Sequence, residues 1–515
     1  MSITIDISSN CYGLIDGLLY LSPPSTNQQN GVMEHLYEQL ADYLRGLIDD
    51  RVLEAGDRLP SVRHLAAQRR LSVSTVLQAL RQLEDRGLIE ARPQAGYYVR
   101  RRVPARAEPQ GVEQLKRPVH VGVNQLLMRV LQANEQPGML PLASAYPAPG
   151  LLPSARMQRT FAKVARQQRD LLAAGTCTAG NDERLVRQLI RLSLEWGGPL
   201  DAGEIVITNS CTESFNLCLR AVTSPGDTVA LESPTYLVLL QVLEGLGLKA
   251  LEIPTHPRTG ISIEALELAT RNGAIKACVL IPNAHNPLGS IMPEGNKCRV
   301  AQLLAERNVP LIEDDIYGDL CFEGGRPWPI KAYDASGNTM LCSSFSKTIS
   351  PALRLGFVAA GRHLPEVLQI KTLTSGVTGA LQQAAVAEFL EGGGHARELR
   401  RARRMYAAQV ARMADAVAEH FPAECTMSRP QGGFVLWVEL PRQVDALALH
   451  RDAVAERIAF MPGQLFSASG QYRNCLRLNC GNPWSAAIEG GVKRLGELVR
   501  RHAATPTRAD EPRGR

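Results

Sequence analysis

The sequence predicts an N-terminal winged helix-turn-helix, mixing α and β elements, joined to a much larger α/β domain with a mostly parallel central sheet. Three observations carry this. At 515 residues the chain is too long for one hydrophobic core, so two or more domains are expected. Residues 31–99 read as helix, short helix, turn, helix and two-stranded ribbon. From about Leu140 onward, helical patterns alternate with short apolar runs, the order that a parallel sheet with covering helices requires.

In "HLYEQLADYLRGLIDDRVL", Leu36, Leu40, Leu44, Leu47 and Ile48 recur at helical spacing. "AGDRLPS" is a turn that puts Ser61 at the cap of a short helix across "VRHLAAQRR". "LSVSTVLQALRQLEDRG" begins with serines at the cap position and stops at Gly87. "LIEARPQAGYYVR" alternates around a Pro-Gln-Ala-Gly turn, as a hairpin does. Residues 100–138 read as a linker: "RRRVPARAEPQGVEQLKRP" has Arg and Pro without clear periodicity, and "VNQLLMRVLQAN" is a helix that ends it. About 20 flexible residues would reach roughly 25 Å. Residues 139–500 form the α/β domain, with strands in "EIVITN", "TVALES", "ACVLIPN", "VPLIEDD" and "TMLCSSFS". Residues 501–515, containing "ATPTRADEPRGR", are expected to be a disordered tail.

Net charge of +6 and a pI near 8.7 decide little at this length, but the distribution is informative. Glu34 to Asp57 holds seven acids and two arginines; Arg58 to Arg102 holds ten arginines and three acids. That basic stretch is either a footprint for a polyanion or a charge-laced helical surface. Eleven cysteines with no CxxC pair suggest reduced thiols in a cytoplasmic protein, and no metal site. No Lys or Arg precedes Arg45, which argues against a signal peptide, and Gln241 and Glu244 break the most apolar stretch, which argues against a membrane span.

Four segments carry chemistry. "TNSCTESFN" opens a helix after a strand, so the amides around Cys211 and Thr212 face an anion. "IPNAHNPLG" puts Asn286 in a Pro-rich loop that also reads as a plain tight turn. "IEDDIYGDL" puts acids and a tyrosine at the carboxyl end of a strand, where α/β folds keep ligands. "SSFSKTISPALRLG" puts Lys347 between serines, with an arginine seven residues on. A lysine ending an apolar run is costly unless it has a task. Schiff-base chemistry with an aldehyde cofactor is a task that uses a desolvated amine. Pyridoxal 5'-phosphate also requires a carboxylate for its ring nitrogen, phosphate binders and partners for its phenolic oxygen. Asp314, then Arg354 with Ser344 and Ser346, then Tyr317 with Asn286, are candidates for each.

On these motifs, residues from about 140 to 500 resemble a fold-type I aminotransferase with a smaller C-terminal α+β subdomain, and residues 31–99 resemble a GntR-family winged helix. The fusion resembles the MocR subfamily of GntR regulators. The resemblance implies that Lys347 forms the internal aldimine, Asp314 pairs with the pyridinium nitrogen, and Tyr317 and Asn286 hold the ring hydroxyl. It further implies that Ser344, Ser346, Arg354 and the Cys211–Thr212 turn bind phosphate, and that Tyr236 in "ESPTYLVLL" stacks on the ring. Arg477 in "NCLRLNCG" would take an amino acid's carboxylate as a bidentate pair, the alternative being a surface arginine on an edge strand. One departure is Gly175, near the place where such enzymes carry a tyrosine for the neighbouring subunit's phosphate.

For the head, the resemblance implies that Arg63, Ser72, Ser74 and Thr75 approach DNA, with Gln94, Gly96 and Tyr97 at the wing tip. Many relatives carry arginines where this chain has Val73 and Leu77, so base readout is expected to lean less on Arg-to-guanine pairs. The expected function is a pyridoxal-phosphate-dependent, DNA-binding transcription regulator. It would act on double-stranded DNA as a homodimer and sense an amino acid or amine by external aldimine formation. The alternative is an active aminotransferase carrying a DNA-binding head, and whether transamination turns over stays open at this point.

Overall fold

In the computed structural model, which describes residues 35–92, 95–100, 106–111, 117–172, 180–198, 200–323 and 325–504, the chain divides into two compact units. One comprises described residues 35–53 and 60–82, the other 54–59 and 83–504. The first unit contains α1 (Leu36–Asp49), α2 (Val62–Arg69) and most of α3 (Val73–Asp85). Ser61 caps α2 by accepting from the His64 amide at 3.2 Å, and Ser72 does the same for the Thr75 amide at 3.1 Å. Leu40, Leu44, Leu65, Val76 and Leu80 are buried, whereas Leu36, at the first position of the expected apolar stripe, is exposed.

The second unit opens with the hairpin β1 (Ile89–Arg92) and β2 (Gly96–Val99), paired from Ile89↔Val99 to Arg92↔Gly96. Its larger sheet contains β3 (Val119–His120), β5 (Ile205–Thr208), β6 (Thr228–Ser233), β7 (Lys249–His256), β8 (Gly260–Ile261), β9 (Ile275–Leu280), β10 (Leu311–Asp314), β11 (Thr339–Ser344) and β12 (Gly356–Ala359). The order is β3-β7-β6-β9-β10-β11-β12-β5, with β8 on β7. β7, β6, β9, β10 and β11 run parallel; β3 and β12 are antiparallel to their neighbours. The parallel strands are buried on both faces, which is why their sequences are nearly unbroken apolar runs.

Helices α4 (Asn124–Asn134), α5 (Ser154–Gln167), α6 (Glu183–Ser193), α7 (Cys211–Val222), α8 (Leu237–Gly245), α9 (Ile263–Thr270), α10 (Glu294–Glu306), α11 (Leu364–Thr374) and α12 (Ala380–Glu391) accompany this sheet. The C-terminal part has α13 (His395–His420), α14 (Ala446–Ala455) and α15 (Ala486–Ala504) with a sheet β13-β14-β17-β16. Its strands are β13 (Thr426–Met427), β14 (Val435–Glu439), β16 (Met461–Pro462) and β17 (Cys475–Asn479); a short pair, β4 (Leu140–Pro141) with β15 (Ile458–Ala459), completes the set. Among the described residues no helix is long and apolar enough to cross a membrane, and no cluster of three His, Cys, Asp or Glu could hold a metal ion.

Two expected boundaries move. The linker expected through residue 138 contains β3, which pairs with β7 through Val119↔Ala250, and α4, whose Leu127 and Val130 are buried. Apolar residues of an edge strand and an amphipathic helix have a sheet to cover, so the body begins well before residue 139. Of the tail expected from 501, residues up to Ala504 belong to α15; the rest lies outside the described residues.

The strand directions gather one edge. Ser344 faces Gly356, and Gly356 faces Thr208, so the carboxyl ends of β11 and β5 lie together beside the start of α7. Gly356 is required there: a Cβ would stand 2.8 Å from the Ser210 carbonyl carbon and the Ser343 oxygen and 3.0 Å from the Cys211 nitrogen. Gly356→Ala is therefore expected to cost ~1–3 kcal/mol, read as a lower urea midpoint at unchanged slope.

Candidate functional site

Three consecutive acids end β10, and strand alternation divides their tasks. Glu313 accepts from the Ile330 and Lys331 amides at 2.7 and 2.9 Å. Asp315 accepts from the Asn283 side-chain amide at 2.8 Å and pairs with Arg326, which also holds Asp319 at 2.8 Å. These two acids tie down the chain that returns after β10. Asp314, between them, is buried and, among the described residues, accepts only from the Ile316 amide at 3.2 Å and the Cys211 thiol at 3.8 Å. With so few donors, burial pushes its carboxyl up to about 7.

Lys347 follows β11 and is buried. Its Nζ donates to the Ala145 carbonyl at 2.6 Å and lies 3.6 Å from the centre of the Tyr146 ring. Desolvation, helped by the Arg477 charge and opposed by Asp314, brings its amine down to about 7. A substantial fraction is thus neutral and nucleophilic near neutrality.

Arg477 is not on an edge strand. β17 lies between β14 and β16, and the guanidinium is 1% exposed, which removes the surface alternative. It donates to the Asn286 side-chain oxygen at 3.2 Å and to the Ala143 carbonyl, while its Nε has no hydrogen-bond partner among the described residues. Asn286 is held by its neighbour: the His285 ring accepts from the Leu288 amide at 3.2 Å through Nδ1 and faces Glu232 across 3.4 Å through Nε2. Tyr317 is buried, edge-on to Phe434, and its hydroxyl has no hydrogen-bond partner among the described residues. Tyr236 sits at the N-cap position of α8, and burial, helped by Tyr146 and Asp314 and opposed by the Arg477 charge, raises its hydroxyl pKa.

The start of α7 presents Cys211, buried, and Thr212, half-buried, beneath a Ser210 cap that accepts from the Glu213 amide at 3.1 Å. Ser344 and Ser346 are buried, with the Ser346 amide donating to Ser344 Oγ at 3.3 Å. Arg354 is exposed, on a left-handed residue (φ 48°), and its charge reaches Lys347. Lys347, Asp314, Cys211, Tyr236, Tyr317, Asn286 and Arg477 thus lie within hydrogen-bond or electrostatic reach of one another, with the Arg354 charge reaching Lys347.

These residues fit pyridoxal phosphate. Asp314 is a buried acid short of a cationic partner, the Tyr317 hydroxyl is a buried polar group without a mate, Lys347 is a lowered-pKa amine, and Arg354 with the helix start of α7 offers positive charge to a phosphate. Gly175 and Gln94 lie outside the described residues.

Sequence reasoning missed the segment that covers the site. Ala143 and Ala145 offer their carbonyls to Arg477 and Lys347, and Tyr146 lies against the amine. Asn479 pins that segment: its side-chain amide donates to Ser144 Oγ at 3.0 Å and the Tyr146 carbonyl at 3.1 Å, and its oxygen accepts from the Gly481 amide at 2.8 Å. One signal was available, since Asn479 sits two residues beyond Arg477 on one strand and shares its face.

In the first unit, Arg63, Ser72 and Ser74 are exposed and Thr75 half-buried at the starts of α2 and α3. Ser72 Oγ lies 2.7 Å from Ser74 Oγ and 2.8 Å from Thr75 Oγ1, a hydroxyl cluster at a helix N-terminus, and Val73 beside it is 49% exposed. In the hairpin, Gly96 is exposed and Tyr97 half-buried.

Residues 150–495 match the family described as Aminotransferase class I and II, and residues 36–99 match bacterial regulatory proteins of the gntR family. The chain is 40% identical over 469 residues to the uncharacterized HTH-type transcriptional regulator YjiR of Escherichia coli, spanning 90% of this chain and 99% of that one. It is 31% identical over 378 residues to 2-aminoadipate transaminase of Thermus thermophilus, spanning 73% and 93%. Among solved structures it resembles LysN, the alpha-aminoadipate aminotransferase of Thermus thermophilus, complexed with N-(5'-phosphopyridoxyl)-L-leucine. That likeness has a TM-score of 0.67 at 29% identity, covering 73% of this chain and 95% of that one.

The Asp314 shift has a sign in stability. Its raised pKa means the native state keeps a proton that the unfolded chain releases above pH ~4, so its contribution is present at low pH and lost as pH rises toward about 7. Relative to wild-type apoprotein, the stability gained by Asp314→Asn should widen by roughly 2–3 kcal/mol between pH 5 and pH 8. Urea denaturation at both pH values checks this; a gap that does not widen with pH would exclude Asp314 as a buried acid.

Proposed function

Because the chain belongs to the class I and II aminotransferases and, with its gntR-family head, to the MocR subfamily of GntR regulators, we propose that it is a pyridoxal-phosphate-dependent, DNA-binding transcription regulator. Its signal is an amino acid or amine. The observation that carries this reading is the buried set Lys347, Asp314, Tyr317 and Arg477 on the same chain as a helix-turn-helix.

Pyridoxal phosphate, when bound, supplies an aldehyde carbon that one amine can hold and another can take over. The chain's residues do the rest. Lys347 Nζ is the resident amine, and its lowered pKa keeps a lone pair available near neutrality. Asp314 holds a proton at the ring nitrogen. Tyr317 Oη and Asn286 Nδ2 hold the ring oxygen, and Tyr236 covers one face. Ser344, Ser346, Arg354 and the Cys211–Thr212 amides bind the phosphate. Arg477 takes the effector's carboxylate, which must displace the Ala143 carbonyl that it now holds. An effector thereby changes who contacts Arg477 and Lys347, which is what a sensor needs.

The head reads double-stranded DNA with Arg63, Ser72, Ser74 and Thr75 at the helix starts and with Gln94, Gly96 and Tyr97 at the wing. The regulator works in the cytoplasm as a homodimer, whose symmetry sets half-site spacing. A monomer by light scattering at micromolar concentration would refute that assembly.

Lys347→Ala should abolish the visible cofactor band while leaving affinity for duplexes selected from a random pool by the wild type. Arg63→Ala should weaken binding to those duplexes about 10-fold or more, from ~1–3 kcal/mol, with the cofactor spectrum untouched. Adding single amino acids and then a keto acid to the loaded protein separates regulator from enzyme. A shifted band that persists without product fits the regulator. A band that cycles as product accumulates would make it an aminotransferase first.

A further inference from the structure

We propose that residues 106–111 form a strap through which the occupancy of the Lys347–Arg477 site reaches the DNA-reading head. The inference rests on the functional reading above. It begins from where the strap is fastened. Arg106, half-buried, donates to the carbonyls of Ala418 at 2.6 Å, Phe421 at 2.9 Å, Cys425 at 3.3 Å and Pro422, so a cation fills the C-terminal end of α13. The Ala107 carbonyl accepts from the Met427 amide at 3.1 Å, adding the strap to β13. These anchors all lie on the smaller sheet's side.

Glu108 then crosses to the other side. Its side chain, 15% exposed, stands 3.6 Å from Arg429 beyond β13 and pairs with Arg258 beyond β7. Gly111 runs flush on the larger sheet, since a Cβ there would stand 2.9 Å from the Thr255 carbonyl. An interdomain linker read as a free tether is thus fastened on both halves of the body, immediately after the hairpin of the head.

The effector bridges the same two halves. Lys347 and Asp314 belong to the larger sheet and Arg477 to β17 of the smaller one. Contacts join the two crossings. From Arg429 the chain continues to Pro430, which a Cβ on Gly289 would meet at 2.5 Å, and to Gln431, whose amide donates to the Gly289 carbonyl at 2.7 Å. Gly289 lies three residues from Asn286, the residue that accepts from Arg477. Gly433 lies against the Tyr317 ring, 3.7 Å from a Cβ built on it. A ligand that re-partners Arg477 therefore acts on a loop packed against the segment that holds Glu108. The element that differs between states is the seam between the sheets, and the strap is stitched across it.

The test compares DNA affinity of the full-length protein in two states, loaded with pyridoxal phosphate or with N-(5'-phosphopyridoxyl)-L-leucine, or the analogue of whichever amino acid shifts the visible band. In the wild type the two affinities should differ by about 5–150-fold, the usual range of allosteric coupling. Glu108→Gln and Arg258→Ala should bring that ratio close to one, with the cofactor band and pyridoxal-phosphate-state DNA affinity kept within about 2-fold. Arg258 is 60% exposed, so its variant cuts the larger-sheet anchor without opening a core. Hydrogen exchange of the Met427 amide should also differ between the two states. A normal band with a wild-type ratio of one, or a ratio that both variants retain, overturns the strap and leaves the cofactor reading standing. Absence of any band would instead sink the cofactor reading, and the strap with it.

Discussion

Lys347 and Asp314 would each carry a full charge in water, and the fold buries both within electrostatic reach of each other at one edge of a parallel sheet. Burial lifts the acid and lowers the amine until both titrate near neutrality. Much of the surrounding structure serves this arrangement. Glu313 and Asp315 are consumed by backbone amides, Asn283 and Arg326, so Asp314 alone turns toward the lysine. Gly356 lets β12 pass close enough to the start of α7 for the strand ends and the helix N-terminus to share one edge.

The second half of the site comes from the other sheet. Arg477 is a buried cation, and the chain meets its needs with the Asn286 oxygen and the Ala143 carbonyl while leaving Nε without a partner. The segment from Ala143 to Tyr146, pinned by Asn479, thus occupies both cations at once. An incoming carboxylate competes with a backbone carbonyl, and an incoming amine with a lysine already resting on a carbonyl and a tyrosine ring. Ligand entry is therefore an exchange of partners, which suits detection as well as turnover.

Such an exchange would take place across the seam between the two sheets, and the fastened strap lies across the same seam. If DNA reading and the proposed hold on an amine are to depend on one another, the chain needs a mechanical connection between them. In the proposal above, Arg106 and Glu108 provide it, fastening residues 106–111 on both sides of that seam.

Local signals were enough for the architecture. Serines before a helical stripe, Gly87 after it, Pro-Gln-Ala-Gly between alternating runs, and the βα alternation are all properties of neighbouring residues, and the elements formed where they pointed. The positions of the residues expected around a cofactor follow from the same signals: Asp314 ends β10, Lys347 follows β11 and Cys211 starts α7, places that topology sends to one edge, while Asn286 lies in the loop after β9. Partners distant in sequence were not legible. Nothing near Tyr146 announces that its ring meets Lys347, 201 residues on in the numbering. Arg477 had a surface alternative on an edge strand, which β16, pairing beside its strand, removes. The stretch from Arg106 to Gly111 carries no periodicity, because it is held by side chains reaching carbonyls and charges contributed from more than 140 residues away. Periodicity reports only which face of an element is apolar, whereas a strap, a buried arginine and a covered amine are decided by which elements the tertiary fold sets side by side.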